Sequence, residues 1–165
     1  MAVHEFGHIV GAAITGGTVA KVTLHPLAIS QTDVSPNPHP LVVVWLGPIV
    51  GSLLPFALTR AVPRRCELAW TVTRFFAGFC LIANGAYIGL GTSGRIGDCD
   101  IMLKNGTPPW VMFAFGTAAI IAGLYCWHRL GSLADYLAHP ELVSSQLAYL
   151  AGLSLLALLL IVSVL

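Results

Sequence analysis

The sequence predicts an all-α, multi-pass membrane protein of about five transmembrane helices with a small β-hairpin after the first. Three observations carry that expectation. Only 9% of the 165 residues are charged and 56% are hydrophobic, with a mean hydropathy of +0.83, against roughly 25% charged residues in a soluble domain. The apolar residues are gathered into long runs separated by Gly, Pro and charge-bearing stretches. Between the first two runs the pattern changes to residue-by-residue alternation.

The first run, Met1 to about Thr15, would be about 22 Å long as a helix, short of the roughly 30 Å hydrocarbon core. With no charged leader region or cleavage pattern before it, it reads as the later part of a longer native helix rather than a signal peptide. Gly16-Gly17 ends it. From Thr18 to His25, Ala20, Val22 and Leu24 then fall on one side and Val19, Lys21 and Thr23 on the other, which is strand periodicity. A second extended piece, about Ala28 to Val34, can pair with it before Ser35-Pro36-Asn37-Pro38-His39-Pro40 breaks regular structure. An exposed edge of such a hairpin can receive an extended peptide by strand addition.

The second span runs from about Leu41 to Val62 and contains Pro48, Pro55 and the GxxxG pair Gly47 and Gly51. The third, about Leu68 to Leu90, has its own pair in Gly85 and Gly89, as the first has Gly7 and Gly11. Three glycine seams predict closely packed helices and are read as architectural. The fourth span is about Trp110 to Trp127 and the fifth about Gln146 to Leu165; neither has a central charge, and both read as supporting helices. The chain thus divides into a membrane core over 1–107 and a supporting pair of helices over 108–165.

Charge excludes one class of function. The net charge of +1 gives no basic face, so nucleic-acid binding lacks an electrostatic basis. Arg60, Arg64, Arg65 and Arg129 lie on one side of the predicted topology, and Lys21, Arg95 and Lys104 on the other. This bias weakly favours a cytoplasmic loop in the 60s. The arginines of that loop read as interfacial anchors, with Arg74 snorkelling from inside the third span. Cys66, Cys80, Cys99 and Cys126 show no metal-binding spacing and read as packing thiols, with Cys99 near the acids described below.

Chemistry is concentrated at His4-Glu5-Phe6-Gly7-His8. On a helix His4 and His8 share a face and Glu5 borders it, so two imidazoles and a base converge. Zinc takes neutral nitrogen ligands in a tetrahedron with an open position, and a carboxylate beside that position can accept a proton from water. Ionisable groups in an apolar span cost about 2.5 to 3.5 kcal/mol each on insertion scales, which argues against ordinary surface residues. His25, His39, His128 and His139 repeat no ligand spacing and read as loop or interfacial residues.

A third ligand must come from the same side of the membrane. The first span ends on the hairpin side, the second crosses away and the third returns, so Gly94-Arg95-Ile96-Gly97-Asp98-Cys99-Asp100 lies with the hairpin. Asp98 and Asp100 are both candidates. Asn84, an amide inside the third span, can hold a substrate backbone, steady the site or join two helices.

This arrangement resembles the site-2 protease family of intramembrane zinc metallopeptidases, particularly its compact bacterial members, over about residues 1–107. The resemblance implies Zn2+ held by His4, His8 and an aspartate, Glu5 as general base, and a membrane protein or peptide substrate that unwinds beside the hairpin. It also implies an integral protein of a bacterial cytoplasmic membrane. Asp98 is preferred to Asp100 because it follows Gly97, as the family aspartate adjoins glycine. The chain departs from the Asn-x-x-Pro-x-x-x-Leu-Asp-Gly pattern of better-known members: Tyr87 stands three residues after Asn84, and Asp98 lies fourteen residues after it. Rival readings are a membrane zinc hydrolase of a non-peptide substrate and a non-catalytic helical scaffold or transporter. The sequence sets neither substrate identity nor oligomeric state.

Overall fold

A computed structural model describes residues 1–24 and 30–130, with scattered positions between 145 and 160. Along the chain it contains α1 (Ala2–Thr15), β1 (Val19–Thr23), β2 (Gln31–Val34), α2 (Pro40–Leu58), α3 (Glu67–Gly94), α4 (Asp98–Lys104) and α5 (Pro109–His128). Among the described residues three helices are long and apolar enough to cross a membrane: Pro40–Leu58, Ala69–Gly94 and Pro109–His128. They correspond to the second, third and fourth expected spans. The 14 residues of α1 reach only about 21 Å. Most of the fifth expected span lies outside the described residues, as do His25, Ala28 and His139.

Local signals set the helix ends. Gly16 adopts φ 75° and closes α1, a left-handed turn that costs glycine nothing. Proline opens both α2 and α5, where its missing N–H breaks no bond. α2 stops at Leu58, short of the expected Val62; Pro63 disfavours helix at the residue before it, and the Thr59 hydroxyl donates to the Phe56 carbonyl. The hairpin is antiparallel, pairing Val19 with Val34, Lys21 with Asp33, Val22 with Thr32 and Thr23 with Gln31. Its register shifts between Val19 and Lys21, so the strict alternation expected across Ala20 is broken by a bulge.

The helices stack in the order α1, α2, α3, α5, each antiparallel to the next, through small residues. A Cβ on Gly7 would fall on the Leu46 carbonyl, and one on Gly11 would lie 2.8 Å from Val43 Cα. Gly116 meets the backbone of Gly85 and Gly89 in the same way, and Gly123 meets that of Gly78. Such contacts bring backbones together where lipid offers no competing hydrophobic drive. The tightest core is Val44, Ile88, Cys99, Met102 and Met112, drawn from α2, α3, α4 and α5.

The loop expected after α3 is replaced from Asp98 onward by the short helix α4. Cys99 and Met102 are both fully buried and, three residues apart, they pin one face of α4 to the core.

Candidate metal centre

The first turns of α1 carry His4, Glu5 and His8, all buried against α2 and α3, with relative exposures of 3%, 3% and 5%. Gly47 of α2 lies opposite. A Cβ there would land on the His8 ring and within 2.9 Å of His4 Nε2. One turn further along α2, a Cβ on Gly51 would come within 2.9 Å of both amide heavy atoms of Asn84. The expectation that this pair serves only helix packing is therefore corrected: their missing side chains are the space in which the imidazoles and the Asn84 amide sit. Gly47 lies seven residues into α2, about 10 Å along its axis from the hairpin end.

Asp98 reaches the histidines because the chain folds back after α3. The Ile96 N–H bonds the Gly91 carbonyl, and Gly97 takes φ 54° and ψ −122°, a conformation that a side chain resists. A Cβ at Gly97 would in addition strike the Tyr87 hydroxyl. That hydroxyl accepts the Asp98 N–H at 3.0 Å. Asp98 Oδ2 then lies 2.7 Å from His4 Nε2 and 3.3 Å from His8 Nε2.

The other aspartate candidate goes elsewhere. Helical residues turn by about 100° each, so positions two apart diverge by about 200°. Asp100 accordingly points away and pairs with Lys104. In a flexible loop either carboxylate could have served; the helix separates them.

Hydrogen bonds at the far side of each ring fix its tautomer. His8 Nδ1 lies 2.9 Å from the Val43 carbonyl, which can only accept, so Nδ1 carries the proton. Asn84 Nδ2 donates to the Cys80 carbonyl at 2.8 Å, which turns Asn84 Oδ1 toward His4 Nδ1 at 2.7 Å. His4 Nδ1 therefore also donates. Both Nε2 lone pairs consequently face the Asp98 carboxylate. Such backing bonds are what orient metal-ligating histidines. Asn84 thus positions His4, and it does not line the pocket beside the two histidines.

Three acceptors converging on one point need a cation between them, either a proton on one Nε2 or a metal ion. Ligand atoms of His4, His8 and Asp98 all lie within 4.8 Å of one another, close enough to hold a metal ion together. Burial pushes the Asp98 carboxyl upward, but His4 and His8, with a proton at Nε2 in place of a metal ion, outweigh it and bring it down to about 2. Asp98 is thus a carboxylate throughout the neutral range, as a ligand must be. Cys99 has the opposite character: burial and then the Asp98 charge push its thiol up to about 11, and it packs against the Tyr87 and Ile88 carbonyls. It remains a packing residue.

Glu5 accepts a hydrogen bond from the Thr32 hydroxyl at 2.8 Å, which ties the helix to the hairpin. Glu5, His4, His8 and Asp98 line one pocket of about 500 Å³, whose opposite wall is the stretch from Ser30 to Ser35. Tyr87 also lines it. Its ring packs edge-on to His4 at 5.6 Å between centroids. Sequence reasoning missed Tyr87 and Gly47. Spacing could have flagged Tyr87, one helical turn after Asn84 on the same face; Gly47 carried no signal beyond helix packing. His39 and His128 stand outside the pocket. Comparison with protein-family profiles, curated proteins and solved structures gave no match.

Proposed function

We propose that this chain is a zinc metallopeptidase of the site-2 protease kind, cleaving peptide bonds of membrane-embedded or membrane-proximal substrates. The single observation that carries the reading is the convergence of two tautomer-fixed imidazoles and one carboxylate beside a buried glutamate. The donor set suits zinc: two neutral nitrogens and one carboxylate oxygen leave a fourth position for the reaction. His4, His8 and Asp98 would hold the ion, and bound zinc supplies a Lewis acid and a water of lowered pKa.

The remaining chemistry belongs to the chain. Thr32 holds one oxygen of Glu5, leaving the other to take a proton from water and return it to the leaving amine. Asn84 and the Val43 carbonyl hold the Nδ1 side of the two imidazoles and so aim each Nε2. The pocket wall formed by β2 supports a peptide substrate, since an unpaired strand edge can bind an extended backbone. A spanning helix hides its carbonyls in its own hydrogen bonds, so the substrate unwinds locally before it lies along β2. The proposal extends to a five-span protein of a bacterial cytoplasmic membrane, with α1 and the apolar sequence after α5 supplying the two further spans.

The test is a metal and turnover assay on purified full chain. Wild type should hold one zinc per chain. Asp98→Ala should lose it, and Asp100→Ala should keep it. Glu5→Gln should keep zinc while losing about 10²- to 10⁴-fold in turnover of a membrane-peptide substrate. Cleavage of small esters or amides with none of membrane peptides would transfer the activity to another substrate class. Absence of zinc from wild type prepared without chelator would overturn the reading.

A further inference from the structure

The opposite end of the bundle carries a second pocket, of about 320 Å³, between the end of α2 and the start of α3. Arg60, Arg64 and Arg74 line it, with Phe56, Thr59 and Trp70. The stretch from Thr59 to Arg74 holds four arginines against the single acid Glu67, whereas the remainder of the chain is sparsely charged. Simple interfacial anchoring does not require cations from a helix and from the turn that precedes it to surround one cavity.

The way these arginines are held is informative. The Arg74 guanidinium lies over the Trp70 ring at 4.8 Å, and that of Arg60 over Phe56 at 5.9 Å. Each pair is one helical turn apart. Stacking engages the flat face of a guanidinium and leaves its in-plane N–H donors unused. Among the described side chains no carboxylate pairs with any of the three. The Thr59 hydroxyl donates to the Phe56 carbonyl, and among the described residues no guanidinium bonds to its oxygen. Three like charges around one concave site repel unless an anion sits among them.

The setting selects the anion. Arg74 lies five residues into the apolar stretch that starts at Ala69, and its long side chain reaches back toward the polar end of the helix. Leu53 and Phe56 on α2 and Phe75, Phe76 and Phe79 on α3 are exposed; in a spanning bundle these positions meet acyl chains. Trp127 joins the same level, donating its ring N–H to the Phe75 carbonyl at 2.9 Å, as interfacial tryptophans do. We infer that this pocket is a binding site for an anionic phospholipid, its phosphate held by Arg60, Arg64 and Arg74 and its acyl chains laid along α2 and α3. Guanidinium forks match phosphate oxygens, and basic pockets between membrane helices take such headgroups. The inference requires a membrane setting but not the proposed reaction at the metal centre.

The test is native mass spectrometry of the full chain in a neutral detergent with equal amounts of phosphatidylglycerol and phosphatidylcholine of identical acyl chains. Wild type should retain phosphatidylglycerol in preference. Arg60→Gln, Arg64→Gln and Arg74→Gln should each lower the preference by about fivefold, and Lys21→Gln, on the far hairpin, should leave it unchanged. Replacing all three by lysine preserves the charge but not the forks and should recover part of the preference lost in the glutamine variants, which guards against misreading a folding defect in them. Equal retention of the two lipids, or no response to the glutamine substitutions, would overturn the site. If inorganic phosphate alone occupied the protein as well as phosphatidylglycerol does, the occupant would be a soluble anion and the lipid assignment would fail.

Discussion

Two of the glycine seams in this bundle do different things. Between α3 and α5, Gly116 faces Gly85 and Gly89 and Gly123 faces Gly78, backbone against backbone. On α2, Gly47 and Gly51 face side chains: the two imidazoles and the Asn84 amide. The same sequence spacing yields a backbone joint in one place and room for polar side chains in the other. What distinguishes them is the identity of the residue across the gap, which spacing alone does not reveal.

The sharpest way to break the comparison is Gly47→Ala. The rings can swing aside to admit a methyl group, so the fold should survive, but they then leave the Asp98 carboxylate; zinc measured by elemental analysis should fall from one per chain to near none. Retention of full zinc would show that Gly47 is only a packing residue. Asn84→Ala should weaken zinc binding by about 10- to 100-fold, the usual cost of losing a backing hydrogen bond, as read by competition with a chelator. Gly116→Ala presses on backbone that cannot yield. It should cost about 1 to 3 kcal/mol of stability in thermal or denaturant unfolding while leaving zinc content unchanged. Asp100→Asn removes only a partly exposed pair with Lys104, so its effect on stability should be within about 0.5 kcal/mol, with no effect on zinc.

The legible part of this molecule was the part governed by periodicity. Helical spacing placed His4 and His8 on one face, and counting crossings placed Asp98 on the hairpin side. The membrane class followed from the scarcity of charge. What escaped was tertiary. The choice between Asp98 and Asp100 depends on a short helix, α4, whose formation rests on burial of Cys99 and Met102 in a core built from four helices. The close approach of Asp98 depends on a reversal at Gly97 that fits only because the Tyr87 hydroxyl occupies the space a side chain would need. The register shift after Val19 likewise carried no sequence signal; beyond it, Ser35 and Thr18 continue the pairing toward the end of α1.

The hydrogen bond from Thr32 to Glu5 has a mechanical meaning. It joins the two-stranded ribbon to the buried helix that carries Glu5. On the proposed reading, a peptide lying along β2 would be linked through this one hydroxyl to the readiness of Glu5 as proton acceptor. Thr32→Val should break that link while keeping the shape of the strand.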